Sequence, residues 1–314
     1  MRYNLNSGWG QSLAASLPLG LSGKVLVVGD SSTANRDMLV ELFGYDPDGK
    51  LRFYSTVQAA VTACTSNAGD IILVAPGHSE AVTASSLDLS VAGITVVNMG
   101  NADNAPTYTY GAAAATIDVS AANVTWIGGN LTANFLDVAS AFTLGAAKGF
   151  TVKDAKFEDT SSILNFLSIV TTGATDHDAD DLSVLNNTVY GLNTTPLALV
   201  SILAAELRPT VSGNYASLAA TSGGEFITLA AKVVSGAQFK DNVHNIVGAT
   251  DTTTGIFLTG SGTSTGIVSG NYVASLDTTS ELIATAGTGL VFFENYYTGV
   301  ADKSGKLWPV VDAA

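Results

Sequence analysis

Acidic side chains form the pattern in this chain that comes closest to a catalytic or metal-binding site. The string Asp176-His-Asp-Ala-Asp-Asp carries four carboxylates and one imidazole, and Asp154, Glu158 and Asp159 precede it. Two carboxylates about 5–10 Å apart can hydrolyse a glycosidic bond, and oxygen ligands can hold a divalent cation. A solvated acidic loop is the third interpretation, and we favour it because the string lacks the glycine and terminal glutamate of a calcium loop. We therefore assign no catalytic, cofactor-binding or metal-binding residue and expect no cofactor.

Basic side chains give weaker support for a lyase, which needs a base and cations that hold an acidic sugar. The lysines of the central region are scattered, and Arg208 is its only arginine. These lysines are Lys148, Lys153, Lys156, Lys232 and Lys240. His78 follows Pro76-Gly77, so we interpret it as fixing a turn and not as a base. We expect His244 to serve in packing or in an interface.

Tyrosines offer a non-catalytic alternative. Tyr190, Tyr215, Tyr272, Tyr296 and Tyr297 each follow a turn, and together they line one edge if the turns stack. Exposed stacked aromatics can serve as a platform for sugars. We favour the alternative that they pack within the coil edge or in an interface between subunits.

A repeat of about 28 residues positions all these side chains. A turn dipeptide returns at Gly129-Asn130, Asp154-Ala155, Asn186-Asn187, Gly213-Asn214, Asp241-Asn242, Gly270-Asn271 and Glu294-Asn295. A short Val-, Ile-, Thr- or Phe-rich segment precedes each pair, and a second such series returns in step, from Thr116-Ile-Asp-Val to Leu282-Ile. Two series with one period indicate one supersecondary unit repeated as a solenoid.

The composition of the repeats predicts an all-β fold. The segments are two to five residues long and are separated by Gly, Asn, Asp, Ser and Thr, which form turns. Two or three strands per repeat predict a right-handed, single-stranded parallel β-helix of about eight coils. We expect the recurrent Asn to adopt the left-handed conformation at a corner and to bond to the coils above and below.

An N-terminal α/β cap is predicted before the first coil. Residues 24–29 and 52–54 have strand patterns, and residues 35–43 have a helical one. Ser55 is placed to cap a second helix from Thr56 to Cys64. We divide the chain into an extended anchoring arm (1–22), this strand-and-helix cap (23–68), the β-helix (69–297) and a C-terminal cap (298–314).

Composition limits the classes of partner. Thirteen basic residues against 27 acidic ones give a net charge of −14, which disfavours binding to nucleic acid. No uncharged apolar stretch of about 18 residues occurs, so we expect no membrane span. The N-terminus has no apolar signal core, so Sec export is not indicated. Cys64 is the only cysteine, and we interpret it as a buried apolar residue.

Several strings resemble a known family. They are Phe53-Tyr-Ser-Thr-Val-Gln-Ala-Ala-Val-Thr-Ala-Cys, Gly69-Asp-Ile-Ile-Leu-Val-Ala-Pro-Gly-His-Ser-Glu, Val91-Ala-Gly-Ile-Thr-Val-Val and Asp302-Lys-Ser-Gly. Together they resemble the tailspike-like, pectate-lyase-type (pectin lyase-like) β-helix proteins encoded by tailed phages. The resemblance covers about residues 50–305, and Leu73 stands where that pattern has Ile or Val. It implies a virion protein and a homotrimer, and it transfers no active-site residue.

These observations lead to two main hypotheses, and a bacterial adhesin is a third, weaker one that the missing export signal opposes. The first is a non-enzymatic structural virion protein, a cement or head-fibre decoration protein that is made in the host cytoplasm. It would bind the major capsid protein on the capsid exterior through the arm and the adjoining strand-and-helix segment. The second is a tail-associated receptor-binding spike that binds or depolymerises a host surface glycan. Because the chain ends about 17 residues after its last predicted coil, without a separate trimerisation domain, we favour head decoration.

Overall fold

A computed structural model of the chain describes residues 23–29, 52–101, 103–193, 197–219, 226–229, 233–247, 258–260, 263–274, 289–298 and 305–307. The predicted arm, the predicted helix over 35–43 and most of the segment 298–314 lie outside the described residues.

Three parallel sheets run the length of the described chain, and each turn contributes one strand to each sheet in succession. Sheet I comprises, in spatial order, Phe53–Tyr54, Val25–Val28, Ile71–Val74, Thr95–Asn98, Thr125–Ile127, Thr151–Lys153, Ser183–Leu185, Thr210–Ser212, Ala237–Lys240, Thr265–Ser269 and Gly289–Phe293. Sheet II comprises Ser79–Val82, Thr107–Tyr110, Asn130–Ala133, Lys156–Asp159, Thr188–Gly191, Tyr215–Leu218, Val243–Ile246, Tyr272–Ala274, Asn295–Thr298 and the antiparallel Gly305–Leu307. Sheet III comprises Leu87–Asp88, Ile117–Val119, Phe142–Leu144, Ser168–Thr172, Ala198–Ser201, Ile227–Leu229 and Leu258–Gly260.

This connectivity confirms the predicted parallel β-helix. The chain forms a β-solenoid of about seven turns, close to the eight expected, and it is consistent with a right-handed coil. The two segment series seen in the sequence correspond to sheets I and III, except for Leu282-Ile, which lies outside the described residues. The sequence interpretation did not distinguish the strands of sheet II from the turns, because these strands start directly at or after the turn dipeptide. A further short parallel pair, Glu206–Leu207 with Val234–Ser235, lies between sheets III and I along the chain.

Alternation of side chains fills the interior. The pattern of buried and less buried residues alternates along most strands, as expected where one face of a sheet is packed. Trp126 of sheet I, Phe157 of sheet II and Phe142 of sheet III are fully buried. The ring of Phe142 lies 5.5 Å from that of Trp126 and 6.2 Å from that of Phe157. Each sheet therefore supplies an aromatic ring to the same stretch of core.

The N-terminal cap extends sheet I and covers the end of the core. Val25–Val28 pairs in parallel with Ile71–Val74 and with Phe53–Tyr54. The helix Val57–Ala63 buries Val57, Ala60 and Val61. Its N-cap is Thr56, whose hydroxyl accepts from the N–H of Ala59 at 3.2 Å, so the expectation that Ser55 caps it is wrong.

Cys64 follows this helix and is partly buried. Burial raises the pKa of its thiol to about 12, so the side chain is a neutral thiol, as expected for an apolar packing role.

A ladder of buried asparagines joins five consecutive turns, as predicted. Its members are Asn187, Asn214, Asn242, Asn271 and Asn295. In each step the side-chain oxygen of one Asn accepts from the backbone N–H and from the side-chain amide of the Asn one turn earlier, at 2.9–3.2 Å. The ladder ends at Ala155, whose N–H donates to Oδ1 of Asn187 at 3.0 Å.

Two details of the predicted corner are wrong. The left-handed residue is the one before each ladder position, from Asp154 (φ 56°) to Glu294 (φ 54°), and not the ladder Asn. Asn130 pairs with Lys156 and therefore lies one residue past the ladder register, which Gly129 occupies. The ladder position therefore needs Asn for its side-chain amide, because the residue before it, which is Asn, Asp, Glu or Gly, adopts the left-handed backbone conformation.

A second left-handed corner precedes the strands of sheet I and was not predicted. It is formed by Asn67, Gly93, Asn123, Gly149, Asp181, Arg208 and Gly236. The backbone N–H at this corner donates to the following turn, for example from Asn123 to the carbonyl of Lys148 at 2.7 Å. Because residue types vary from Gly to Arg, no dipeptide pattern identified this corner.

Candidate functional site

The acidic loop at residues 176–181 is held to the next turn by its own carboxylates. Asp180 is buried, and its Oδ1 accepts from the backbone N–H of Leu207 at 2.8 Å and lies 3.1 Å from Nδ1 of His177. Burial acts to raise the pKa of Asp180, but these two hydrogen bonds hold that pKa below its usual value. The interpretation of a solvated loop is therefore wrong for Asp180.

The flanking aspartates make similar contacts. Asp176 accepts from the backbone N–H of Ala205 at 2.9 Å. Asp181 binds the guanidinium of Arg208 at two points, 2.6 Å to Nε and 2.8 Å to the terminal nitrogen. The hydrogen bond from Arg208 holds the pKa of Asp181 below its usual value. Both aspartates thus join neighbouring turns, and Asp181 does so through the second left-handed corner.

Glu206, which the sequence did not single out, is the partner of Asp180. Its side chain is buried, and Oε2 accepts from the N–H of Ala179 at 3.1 Å. Burial, with a smaller contribution from the Asp180 carboxylate, raises the pKa of Glu206 to about 7. Its Oε1 is buried and has no hydrogen-bond partner among the described residues. The two residues form one carboxyl–carboxylate pair across two turns.

This pair resembles an acid–base pair in its pKa values but not in its geometry. Carboxyls whose pKa values are pushed apart are a feature of acid–base catalysis. A glycosidase, however, needs its two carboxyls about 5 Å or more apart with the sugar between them. Glu206 is only 1% exposed and its carboxyl is hydrogen-bonded to that of Asp180. The pair therefore links turns and has no room for a substrate.

The three acidic residues that precede the loop have separate positions. Asp154 is a left-handed corner residue. The carboxylate of Glu158 lies 2.5 Å from Nζ of Lys156 on the outer side of sheet II. Asp159 points into the protein on the same strand. No two of them form a catalytic pair with each other.

Asp159 clamps the connection from sheet II to sheet III. Its oxygens accept from the backbone N–H groups of Phe166, Leu192 and Asn193 at 3.0, 2.9 and 3.3 Å. Burial raises the pKa of Asp159 to about 6 against these hydrogen bonds. The contacts are all with backbone, which is the signature of a structural carboxylate.

The two singled-out histidines are structural. His78 is buried, and its Nε2 lies 3.1 Å from Oε2 of Glu80, which also accepts from the N–H of Val57 at 3.0 Å. His78 therefore helps to fix the first turn of the solenoid to the cap helix. His244 is buried inside sheet II with its ring 5.0 Å from Phe226 and neither nitrogen bonded. Burial lowers the pKa of His244 to about 3, so it packs as a neutral ring.

The lysines do not converge on a site within the described residues. Nζ of Lys148 lies 3.6 Å from Asp180, and Nζ of Lys240 donates to the Gln238 side chain at 2.9 Å. Lys153 lies on sheet I and Lys156 on sheet II, while Lys232 lies outside the described residues. This arrangement lacks the cation cluster that an acidic sugar substrate needs.

The outer side of sheet II carries an exposed aromatic and aliphatic surface, which we call the tyrosine face. It comprises the exposed side chains of Tyr190, Leu192, Tyr215, Val247, Tyr272 and Tyr296, with the partly buried Val243 among them. The four tyrosines are 37–48% exposed, so they do not pack within the coil edge, and their place in an interface between subunits stays a prediction. The side chain of Tyr297 lies outside the description.

The strand register aligns these side chains. Tyr215, Val243, Tyr272 and Tyr296 are consecutive partners across four strands. The ring of Tyr190 lies 6.3 Å from that of Tyr215, and Nζ of Lys156 lies 5.7 Å from the Tyr190 ring. The tyrosine face therefore forms one continuous surface along the solenoid, and it is the candidate functional site.

Comparison of the chain with protein-family models, with curated proteins and with solved structures gave no match. Within the described residues, no group of three His, Cys, Asp or Glu side chains is arranged to hold a metal ion. In the same part of the chain, no helix has the length and apolar character of a membrane span.

Sequence reasoning found the tyrosines of this site but not its aliphatic members. Leu192 and Val247 are 48% and 50% exposed and follow the strands by one residue. Every second residue of a strand points outward, and this alternation continues one residue past the strand, as from Tyr190 to Leu192. It was the only signal in the sequence for these two residues. Single apolar residues beside a turn are too common to mark a surface.

Proposed function

We propose that this chain is a non-catalytic structural protein of a tailed-phage virion, a homotrimeric decoration protein that binds the major capsid protein on the capsid exterior. The observation that carries the proposal is the use of the buried carboxylates. Asp159, Asp180 and Glu206 each accept from backbone N–H groups of other turns or connections. These carboxylates serve to hold turns together through hydrogen bonds, as expected of a protein whose role is structural. The resemblance of the first-coil strings supports the phage setting.

The test of this function is the location of the chain on the particle. Antibody against the purified protein should label the heads of the corresponding phage in electron micrographs. A chain lacking residues 1–22 should keep the strand-dominated circular dichroism spectrum of the full chain and should fail to bind particles that lack the protein. Labelling of the tail, or unchanged docking of the truncated chain, would contradict the proposal.

The tyrosine face favours one alternative, a tail-associated spike that binds a host surface glycan. Exposed rings along a rigid surface can stack on sugars. Incubation of the protein with host surface polysaccharide distinguishes the two functions. Under the structural proposal, no binding and no new reducing ends should appear. Reducing ends that are lost in Asp178→Asn with Asp181→Asn, or in Glu206→Gln, would establish a depolymerase instead.

A further inference from the structure

The outer side of sheet II is almost free of charge. Of the outward side chains on its strands from Ser79–Val82 to the described part of Asn295–Thr298, only Lys156 and Glu158 are charged, and they contact each other at 2.5 Å. The chain as a whole has a net charge of −14. A neutral strip of this length on an acidic protein is where a second acidic molecule can approach with least repulsion.

The composition of the tyrosine face indicates a protein partner more than a sugar. Sugar sites place several hydrogen-bonding side chains around the rings to fix hydroxyl groups. Here the rings lie beside the aliphatic Leu192, Val243 and Val247, and the neighbouring outward positions hold three short polar side chains, Thr188, Ser217 and Asn245. Tyrosine enrichment together with depletion of charge is the pattern found at the centre of protein–protein interfaces.

We propose that the outer side of sheet II, centred on the tyrosine face, is the surface through which copies of this chain associate. The partner is a second copy because the strip offers each acidic chain the same neutral surface. Nine parallel strands at about 4.8 Å and three outward positions at about 6.8 Å give a footprint of roughly 880 Å². That is near the ~800 Å² which each partner buries in a stable interface. The inference rests on the self-association part of the proposed function and on no other part.

The asparagine ladder makes this surface rigid. Each of the last four ladder residues comes directly before an outward residue of the tyrosine face, as in Asn214-Tyr215 and Asn271-Tyr272. The ladder fixes the backbone one residue from each of these side chains, at 2.9–3.2 Å per hydrogen bond. A surface whose members are already ordered loses less entropy on association.

The molar mass in solution tests the proposal. Size-exclusion chromatography with light scattering should give about 96 kDa for three chains of 32.0 kDa. Tyr272→Glu, alone or with Tyr215→Glu, should shift the mass to 32 kDa at the same concentration. Tyr272→Phe, which adds no charge, should keep the wild-type mass. Circular dichroism and thermal melting should show that each variant is folded.

Phe293 supplies a matched control on another sheet. Its side chain is 45% exposed on the outer side of sheet I, against 37% for Tyr272. Phe293→Glu therefore introduces the same charge at an exposed aromatic residue and should leave the mass unchanged. Dissociation by Phe293→Glu with retention by Tyr272→Glu would overturn the proposal, as would a wild-type mass of 32 kDa at every concentration.

Hydroxyl-radical footprinting of the wild-type chain provides a readout that needs no variant. Tyr215, Tyr272 and Tyr296 should be labelled several-fold less in concentrated than in dilute protein, while Phe293 should be labelled equally. Equal labelling of the tyrosines would overturn the proposal. A monomeric chain that still decorates phage heads would refute this interface and the homotrimer, and would leave the decoration role standing.

Discussion

Replacing Asn242 by leucine tests whether the asparagine ladder holds the second half of the solenoid together. The Oδ1 atom of Asn242 accepts from the backbone N–H of Asn214 at 3.1 Å and from its side-chain amide at 2.9 Å. Its own amide donates to the carbonyl of Val211 at 2.9 Å and to Oδ1 of Asn271 at 3.0 Å. Leucine has a similar size and can make none of these four bonds.

The expected cost follows from what is left unpaired. The side-chain amide of Asn214 keeps its bond to the carbonyl of Val184, but its buried backbone N–H loses the acceptor that Asn242 supplies. One buried orphaned donor costs about 1–3 kcal/mol, and the lost bonds to other groups add a smaller amount. We therefore expect Asn242→Leu to lower the free energy of unfolding by about 2–4 kcal/mol.

Asn245 provides the matched control on the same strand. It is partly exposed on the outer side of sheet II, where a substitution usually changes stability by less than about 0.5 kcal/mol. Urea unfolding, followed through the buried Trp126, compares the two leucine variants at equal protein concentration. Hydrogen exchange at the Asn214 amide should accelerate in Asn242→Leu only. Equal losses of stability in the two variants would refute the ladder as a source of stability.

Asn242→Asp separates the ladder from simple packing. Aspartate keeps an acceptor for Asn214 but replaces the amide donor with an oxygen that faces the carbonyl of Val211 and Oδ1 of Asn271. We expect a loss of stability at pH 7 that is partly recovered near pH 4, where the protonated carboxyl can donate again. A packing role alone predicts no such recovery, because aspartate and asparagine have the same shape.

Three further predictions concern single positions. Burial lowers the pKa of His244 to about 3, so the unfolded chain binds more protons than the folded chain below pH 6.5, and the free energy of unfolding should fall by about 2 kcal/mol between neutral pH and pH 5. His244→Phe should remove this fall. A urea midpoint that depends on pH in the same way in both proteins would contradict the prediction. The pKa of Glu206 is raised from 4.5 to about 7, so its contribution to stability is present below pH 4.5 and is lost as the pH rises through 7. Glu206→Gln should therefore be more stable than wild type at pH 8 and equal to it near pH 4. Thermal melting at both pH values checks this. Gly266→Ala should lower the stability of the fold far more than Gly77→Ala. An added Cβ at Gly266 (φ +145°) would lie 2.2 Å from the carbonyl oxygen of Ala237, whereas at Gly77 (φ +76°) it meets nothing within 4 Å. Melting temperatures that fall equally in the two variants would contradict this reasoning.

The parts of the fold that repeat could be predicted from the sequence. Sheets I and III and the ladder from Asn187 to Asn295 all follow the 28-residue period, because one local structure is built several times and each copy supports the assignment of the others. The cap helix was predicted from its apolar spacing. Its N-cap was misplaced by one residue because Ser55 and Thr56 are both good caps, and only the hydrogen bond to Ala59 distinguishes them.

The parts that depend on contacts between turns could not be predicted. The pairing of Glu206 with Asp180 joins residues of different turns at a position where only some turns have an acidic residue, so the repeat contains no signal for it. The acidic string at residues 176–181 was interpreted as solvated, because the density of charged residues in a sequence does not indicate which of them are buried. The second left-handed corner was missed for the same reason: Arg208 takes a conformation that its residue type disfavours, held there by Asp181 one turn earlier.

The ladder and the tyrosine face occupy the same turns, so the two halves of the described solenoid differ in construction. The earlier turns are filled by Tyr108, Trp126, Phe142 and Phe157, and the outer side of sheet II carries no aromatic ring on their strands, where it ends in the Lys156–Glu158 pair. From Asn187 onward the inner corner is held by amides and the outer side carries the exposed rings. Since each amide bond lies next to a face residue, Asn271→Leu should weaken self-association as well as folding. A variant that lost stability but kept its full association constant would show that the two features coincide without being coupled.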